Sequence, residues 1–387
     1  MRSAEGELSS VRLLEKLVGF ATVSRDSNLE LIEYVRALLA ARGIEARLYY
    51  DAARTKANLY ASIGPAQASG VLLSGHTDVV PIDGQRWASE PFQLVERAGR
   101  LYGRGTADMK GFIACALRAC HLASRRQLRT PLHLALSYDE EVGCLGVRSL
   151  IEDMAGWAQR PRLAIVGEPT GLRVAIGHKG KTALRARCAG RAAHSANPAR
   201  GVNAIHIACD LVAAVREQQA EIAATGPCDA AYEVPHTTLH VGVIRGGTVL
   251  NIVPAHCELE LEIRNVREDD PAAIVAELRA AATRVVADTG ALESAGIELE
   301  PLHDYPALET RADAEVVQLV AALTGEPEPI KVSYGSEAGL FSERLGIATV
   351  VCGPGSIEQA HRPDEFIERE QLARCDAMMD ALLERLS

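Results

Sequence analysis

No Cys-x-x-Cys pair occurs in the chain, no apolar run approaches the roughly 20 residues of a membrane-spanning helix, and no basic stripe offsets a net charge of −10. Each absence removes a class of function. The nine cysteines are odd in number and irregularly spaced. They suit reduced, mostly buried thiols of a cytosolic enzyme rather than a disulfide framework or a structural zinc knuckle. The opening Met1-Arg-Ser-Ala-Glu-Gly-Glu-Leu8 carries acids and lacks the apolar centre of a secretory signal. A soluble, cytoplasmic protein is therefore expected. An acidic surface attracts neither nucleic acid nor anionic membrane, so neither is an expected partner. Gly103-x-Gly105 opens no dinucleotide fingerprint, because Asp108 stands where the third small residue belongs. Asn197-Pro198 cannot accept a glycan, and internal repeats and low-complexity tracts are missing.

What remains is a chain of 387 residues with 48% hydrophobic content, enough for two cores, one of which can be inserted in the other. Helical spacing of apolar residues marks 7–20, 28–43 and 112–124. Apolar runs at 46–50, 57–63, 71–75, 131–137 and 162–167 read as strands. Alternating strands and helices predict an α/β domain with a mostly parallel sheet, whose ligands lie beyond the carboxyl ends of the strands. The middle changes character. Strands at 181–189, 237–245, 255–264 and 296–304 and helices at 201–223 and 270–288 follow a β-α-β-β-α-β order, the pattern of a two-layer α+β (ferredoxin-like) unit. This predicts an inserted domain over 180–305, with the first domain formed by 1–179 and 306–387. From 312 the α/β pattern returns, through a strand at 348–352 and a final helix at 369–386.

The chemistry concentrates at strand ends. Val71-Leu-Leu-Ser-Gly-His-Thr-Asp-Val-Val80 is an apolar run that breaks into His76 and Asp78. Two residues apart in an extended segment, these side chains share a side. One can bind a metal while the other orients it; a lone His-x-Asp can equally be a hydrogen-bonded strand end. Asp108 follows a glycine-rich turn, Glu140 and Glu141 follow the strand ending at 137, Glu168 follows the one ending at 167, and His361 follows the strand at 348–352. Two histidines and three carboxylates, with one carboxylate to spare, suit a two-metal hydrolytic site, and mixed nitrogen and oxygen ligands suit zinc or cobalt. Adjacent acids aimed into one buried site repel unless cations neutralise them. Of Glu140 and Glu141, one is expected on a metal and the other as general base; spacing does not choose the order.

Ser74-Gly-His-Thr-Asp78, Gly103-Arg-Gly-Thr-Ala-Asp-Met-Lys-Gly111, Asp139-Glu-Glu141, Val166-Gly-Glu-Pro-Thr170 and Gly190-Arg-Ala-Ala-His-Ser-Ala-Asn-Pro198 together resemble the dinuclear-zinc deacylases and exopeptidases. That family includes acetylornithine deacetylase, succinyl-diaminopimelate desuccinylase, aminoacylase and carboxypeptidase G. The resemblance covers essentially the whole chain in order. It implies that His76 and Glu168 bind one ion, Glu141 and His361 the other, that Asp108 bridges them, and that Glu140 is the base; Asp78 is expected from its spacing to assist His76. It also implies a cis peptide at Asp108–Met109. The inserted domain becomes a lid that supports a homodimer and supplies His194 to the oxyanion, in several family members from the partner subunit. Asn251 and Arg264 match lid residues that meet the substrate carboxylate, for which Lys179 is a weaker candidate. Without the match, Arg264 would read as a surface salt bridge.

The closing Gly353-Pro-Gly-Ser-Ile-Glu-Gln-Ala-His-Arg-Pro-Asp-Glu365 and Gly335-Ser-Glu-Ala-Gly-Leu-Phe341 are similar to the acetylornithine-cleaving branch. Glu337 could face a cationic amine or cap the helix that begins there. The expected reaction is hydrolysis of an N-acyl amino acid, N2-acetylornithine first, N-acetylcitrulline or other N-acyl amino acids next. Succinyl-diaminopimelate ranks lower because no motif supplies a cation for the succinyl carboxylate. A non-catalytic binding homologue would show an eroded ligand or base, and all six positions are intact.

Overall fold

The structure is a computed structural model and describes residues 8–387. The N-terminal stretch read against a secretory signal, and residue 7, where the first helix is expected to begin, lie outside the described residues. The chain divides into two compact units. One comprises residues up to 177 together with 308–331 and 336–387; the other comprises 178–307 with 332–335. The second unit thus starts two residues earlier and ends two residues later than the 180–305 insertion read from pattern. It also claims a short segment from the later sequence. Gly335 explains part of that claim, since a Cβ there would fall 2.1 Å from the Tyr305 ring.

The first unit is built on a nine-stranded mixed sheet. Its centre is parallel, in the order Leu132–Ser137, Val71–His76, Leu163–Pro169, Ala348–Gly353. Antiparallel strands flank it: Ala46–Tyr50 and Ala57–Ile63 on one side, Ala175–His178 on the other. The parallel expectation holds where strands are joined through helices. The turn at 51–56 is too short for a crossover, so its two strands pair as a hairpin. Val71–His76 has a later strand on each side. Connections therefore diverge at its carboxyl end, and the crevice of an open α/β sheet forms at such a switch point.

The central strands are buried along their length, as a sheet covered on both faces requires. Helices Ser10–Val18, Gly111–Ala123 and Arg369–Leu386 contribute Leu13, Leu17, Phe112, Leu117, Met378 and Leu382 to its core. Pattern reading missed helix Val147–Ala155 and the sheet formed by Val95–Arg97, Arg100–Tyr102 and Phe366–Glu368. Three-residue strands are too short to express a period.

In the second unit the strand order is Thr238–Gly246, His256–Arg264, Lys181–Ala189, Gly296–Tyr305, antiparallel throughout. Along His256–Arg264 the residues alternate. Cys257, Leu259, Leu261 and Ile263 are buried in a core shared with helices Ala204–Thr225 and Pro271–Asp288. Glu258, Glu260 and Glu262 pair with Arg185, Arg187 and Lys181 on the opposite face. Full burial of Leu259 or Ile263 stabilises by about 1.5–3 kcal/mol each. The half-exposed ion pairs add little.

Candidate metal centre

His76, Glu140, Glu141, Glu168 and His361 lie at carboxyl ends of the parallel strands or in loops leaving them, whereas Asp108 follows the antiparallel strand Arg100–Tyr102. His76 closes its strand and Glu168 is the penultimate residue of its own. Asp108 sits in the segment after Gly105, whose φ of +82° turns the loop inward. Asp108 and Met109 leave helical geometry there, and the peptide between them is cis.

Two ligand-like clusters result. His76, Asp108 and Glu168 form one, and Asp108, Glu141 and His361 the other, with ligand atoms within 4.8 Å of one another in each. His76 Nε2 lies 3.1 Å from Asp108 Oδ1 and 3.8 Å from Glu168 Oε1. His361 Nε2 lies 3.3 Å from Asp108 Oδ2 and 3.1 Å from Glu141 Oε2. Bonds of about 2.0–2.1 Å in a tetrahedron put ligand atoms about 3.3 Å apart. These separations bracket that edge. Asp108 turns one oxygen toward each histidine, the posture of a bridging carboxylate. Glu168 Oε1 is buried without a hydrogen-bond partner, which costs free energy unless a cation meets it.

The electrostatics point the same way. Burial pushes Glu168 well up, helped by the charge of Asp108, and burial and Asp108 raise Glu141. Burial pushes Glu140 up to about 8, reinforced by Glu141, Glu337 and Asp78 against the opposing pull of His76. Burial works against protonated His76, yet its bonds to Asp108 and Asp78 hold it well above the ordinary value. Hydrogen bonds to Asp108 and Glu141 raise His361 to about 10. Acids outnumber imidazoles here, and bound cations relieve that imbalance.

Asp78 faces His76 through both its main chain and its carboxylate. The nearest acceptor for His76 Nδ1 is the main-chain carbonyl of Asp78 at 2.9 Å, with carboxylate Oδ1 farther, at 3.5 Å. The carboxylate also accepts from Glu140 N, Glu141 N and Ser24 Oγ. Cys144 Sγ donates to Glu140 Oε1 at 3.4 Å. Glu337 is buried; Ser74 Oγ donates to its Oε2 at 3.4 Å, while Oε1 has no partner. It stands at the N-cap of helix Ala338–Leu345, to which its side chain makes no bond.

The second unit brings His194 and Asn251 together. Ala193–His194 pairs with Ile252–Val253, and Asn251 O accepts the N–H of Ser195 at 3.0 Å. His194 is exposed, and its Nδ1 accepts from Ala196 N at 3.1 Å, which leaves the ring proton on Nε2. Arg264 forms the salt bridge that its isolated reading suggested, through two nitrogens to Glu262, and donates a further bond to Tyr305 Oη. Lys179 is buried, and its ammonium donates to His236 O at 2.6 Å, an arrangement that holds the segment rather than presenting a cation. Sequence reasoning passed over Arg104 and Glu365, a buried ion pair at 2.8 Å behind the Asp108 loop. A buried Arg shows no periodic signal.

A family model described as peptidase family M20/M25/M40 matches residues 72–385. The chain belongs to that family and is a metal-dependent hydrolase. It is 37% identical to an acetylornithine deacetylase of Pasteurella multocida (strain Pm70), over 89% of this chain and 87% of that one. It is likewise 37% identical to an acetylornithine deacetylase of Myxococcus xanthus, over 95% and 94%. Among solved structures, the M20 family metallo-carboxypeptidase Sso-CP2 of Sulfolobus solfataricus shares the fold, with a TM-score of 0.79 at 20% identity over 97% of this chain and 98% of that one. Among the described residues no helix is long and apolar enough to cross a membrane.

Proposed function

We propose that the chain hydrolyses the amide of N2-acetylornithine to acetate and ornithine, a step that serves arginine biosynthesis, with two zinc ions held by the clusters that share Asp108. The observation that carries the two-ion reading is Asp108 itself, with Oδ1 toward His76 and Oδ2 toward His361. The substrate rests on the named relatives. His76 and Glu168 would hold one ion, Glu141 and His361 the other; cobalt would fit the same donors. Bound ions supply Lewis acidity to the acyl carbonyl and acidify the attacking water.

The rest is work for side chains. Glu140 takes the proton of the attacking water as the carbon–oxygen bond forms. It returns that proton to the nitrogen as the carbon–nitrogen bond breaks, releasing the α-amine. Burial raises the proton affinity of Glu140, the direction a proton acceptor needs. His194, with its proton on Nε2, is assigned to the oxyanion, where a donor stabilises charge that develops only in the transition state. Asn251 and Arg264 are assigned to the substrate carboxylate. Three of the guanidinium's five N–H groups are engaged by Glu262 and Tyr305, which leaves two for a ligand. Glu337 is assigned to the cationic end of ornithine.

The reading places the protein in the cytoplasm as a homodimer through the second unit, with a small acyl amino acid as its partner and no role for nucleic acid or membrane. The edge strand Thr238–Gly246 and exposed Ile244, Val249 and Leu250 support the dimer. Light scattering on eluting protein tests it, and a monomer with full activity removes any role for His194 across subunits. The primary experiment is steady-state hydrolysis of N-acetylornithine, N-acetylcitrulline, N-acetylmethionine and succinyl-diaminopimelate by zinc- and cobalt-loaded protein. A kcat/KM preference for acetylornithine supports the substrate. Equal turnover of several acyl amino acids makes the enzyme a broader deacylase, and no turnover by metal-replete protein overturns the reading.

A further inference from the structure

We infer that Glu365 is a positioning residue for the metal centre, fastening the loop that carries Asp108 to the segment that carries His361. The inference rests on the two-ion reading above and adds a residue that touches neither ion nor substrate.

Glu365 is buried, and each of its carboxylate oxygens is used twice. Oε1 accepts the N–H of Ala107 at 2.9 Å and of Asp108 at 3.2 Å. Oε2 accepts the N–H of Gly105 at 2.9 Å and Nη1 of Arg104 at 2.8 Å. The main chain joins in, because Gly103 N donates to Glu365 O at 2.9 Å. One residue therefore receives five hydrogen bonds from residues 103–108. Successive N–H groups converging on one carboxylate form an anion nest, here filled from within the chain. The bond from Asp108 N fixes the main chain of the residue whose two oxygens must serve two ions.

Arg104 carries the fastening onward. Its guanidinium, also buried, donates to Arg362 O at 3.3 Å and to Gln85 Oε1 at 2.6 Å and lies 4.9 Å over the Trp87 ring. Gln85 in turn donates to His361 O at 3.4 Å. These ties matter most for His361. Its side chain is 53% exposed, against 1% for His76, so packing does little to hold it. His361 and Asp364 both have positive φ, and regular pairing resumes only at Phe366. Between the strand ending at Gly353 and that point, Glu365 and Arg104 set where the second ion's histidine stands. The ion held by His76 and Glu168 has strand-borne ligands and depends on Glu365 through Asp108 alone.

The test is zinc titration of metal-free protein against a chromophoric chelator, comparing wild type with Glu365→Gln. The amide keeps the shape but presents N–H to donors. The expected result is a second-ion dissociation constant raised about 10- to 100-fold, the usual range for residues behind a ligand, with the first ion changed less than about threefold. Activity lost at stoichiometric zinc returns at excess zinc. Two ions bound with wild-type affinity by the variant overturn the inference. Parallel loss of both ions with an intact near-ultraviolet spectrum also overturns it. Wild type binding fewer than two ions refutes the two-ion reading instead. If Glu365→Gln does not fold, Gln85→Ala decides, because it cuts the tie between Arg104 and His361 and otherwise only a half-buried bond from Trp87 Nε1. Weakening of the second ion alone supports the inference, and unchanged binding overturns it.

Discussion

Asp78 holds Glu140 by its main chain: carboxylate Oδ1 accepts the N–H of Glu140 at 3.1 Å. Its other oxygen takes the N–H of Glu141 at 3.3 Å, so one acid sets the turn on which two more are mounted. Asp78→Asn replaces an acceptor with an N–H group facing a donor. The expected outcome is a fall in kcat of about 10- to 100-fold, with both ions still present by elemental analysis. Unaltered kcat would show that the tandem acids need no such support.

Removal of the base separates chemistry from binding. Glu140→Gln keeps the volume and loses the proton acceptor, and general-base catalysis contributes about 10²- to 10⁴-fold. Activity should drop by that factor while zinc content and KM stay near wild type. Loss of zinc together with activity would move Glu140 into the ligand set and return Glu141 to the candidates for base.

Zinc uptake should release protons. In metal-free protein, His361 is held up to about 10 by Asp108 and Glu141, and His76 stands well above the ordinary range. Below those values both rings carry a proton that a metal must displace. Rising pH removes the competitor, so zinc affinity should climb with pH and level off near about 10. Calorimetry in buffers of different ionisation enthalpy measures the release directly. Heats independent of buffer would contradict it.

The assignment of Glu337 to the cationic end of ornithine predicts a selective loss. Glu337→Gln should raise KM for N-acetylornithine and leave N-acetylmethionine, which has no side-chain amine, close to unchanged. An equal fall in kcat for both substrates would make Glu337 a neighbour of Glu140 with no part in recognising ornithine, consistent with burial pushing its own carboxyl up to about 7.

Thiol chemistry checks the fold independently. All nine cysteines are free, with Cys209 and Cys228 exposed and the others buried. Burial pushes Cys120 and Cys188 up to about 12. A thiol reagent should therefore titrate two groups quickly in native protein and nine after denaturation. More than two fast groups would mean that the cores open readily.

What could be read in advance follows from what periodicity and strand ends encode. His76, Asp108, Glu141, Glu168 and His361 were legible because each polar residue interrupts an apolar run or a glycine turn, where a parallel sheet collects its ligands. The ferredoxin-like order of the second unit was legible because its strands are nine or ten residues long. Partners that act through hydrogen-bond geometry were not. The grip of Asp78 on residues 140 and 141, and the Arg104–Glu365 pair, join positions 62 to 261 residues apart, and no local pattern reports a contact of that separation. The segments missed were strands of two to four residues, among them Val95–Arg97, Arg100–Tyr102, Ala175–His178 and Phe366–Glu368, and one nine-residue helix.

The division of the first unit around residues 178–307 orders events on the ribosome. His76, Asp108 and Glu168 are all synthesised before the second unit begins, so one complete cluster can emerge while most of the chain is still unmade. His361 arrives only after the whole intervening unit. Half of the centre can thus meet a metal ion early in translation, whereas the other half waits for the last strand of the parallel core. A nascent chain stalled before that strand would hold the residues of one cluster but lack both His361 and the Glu365 that fastens the Asp108 loop.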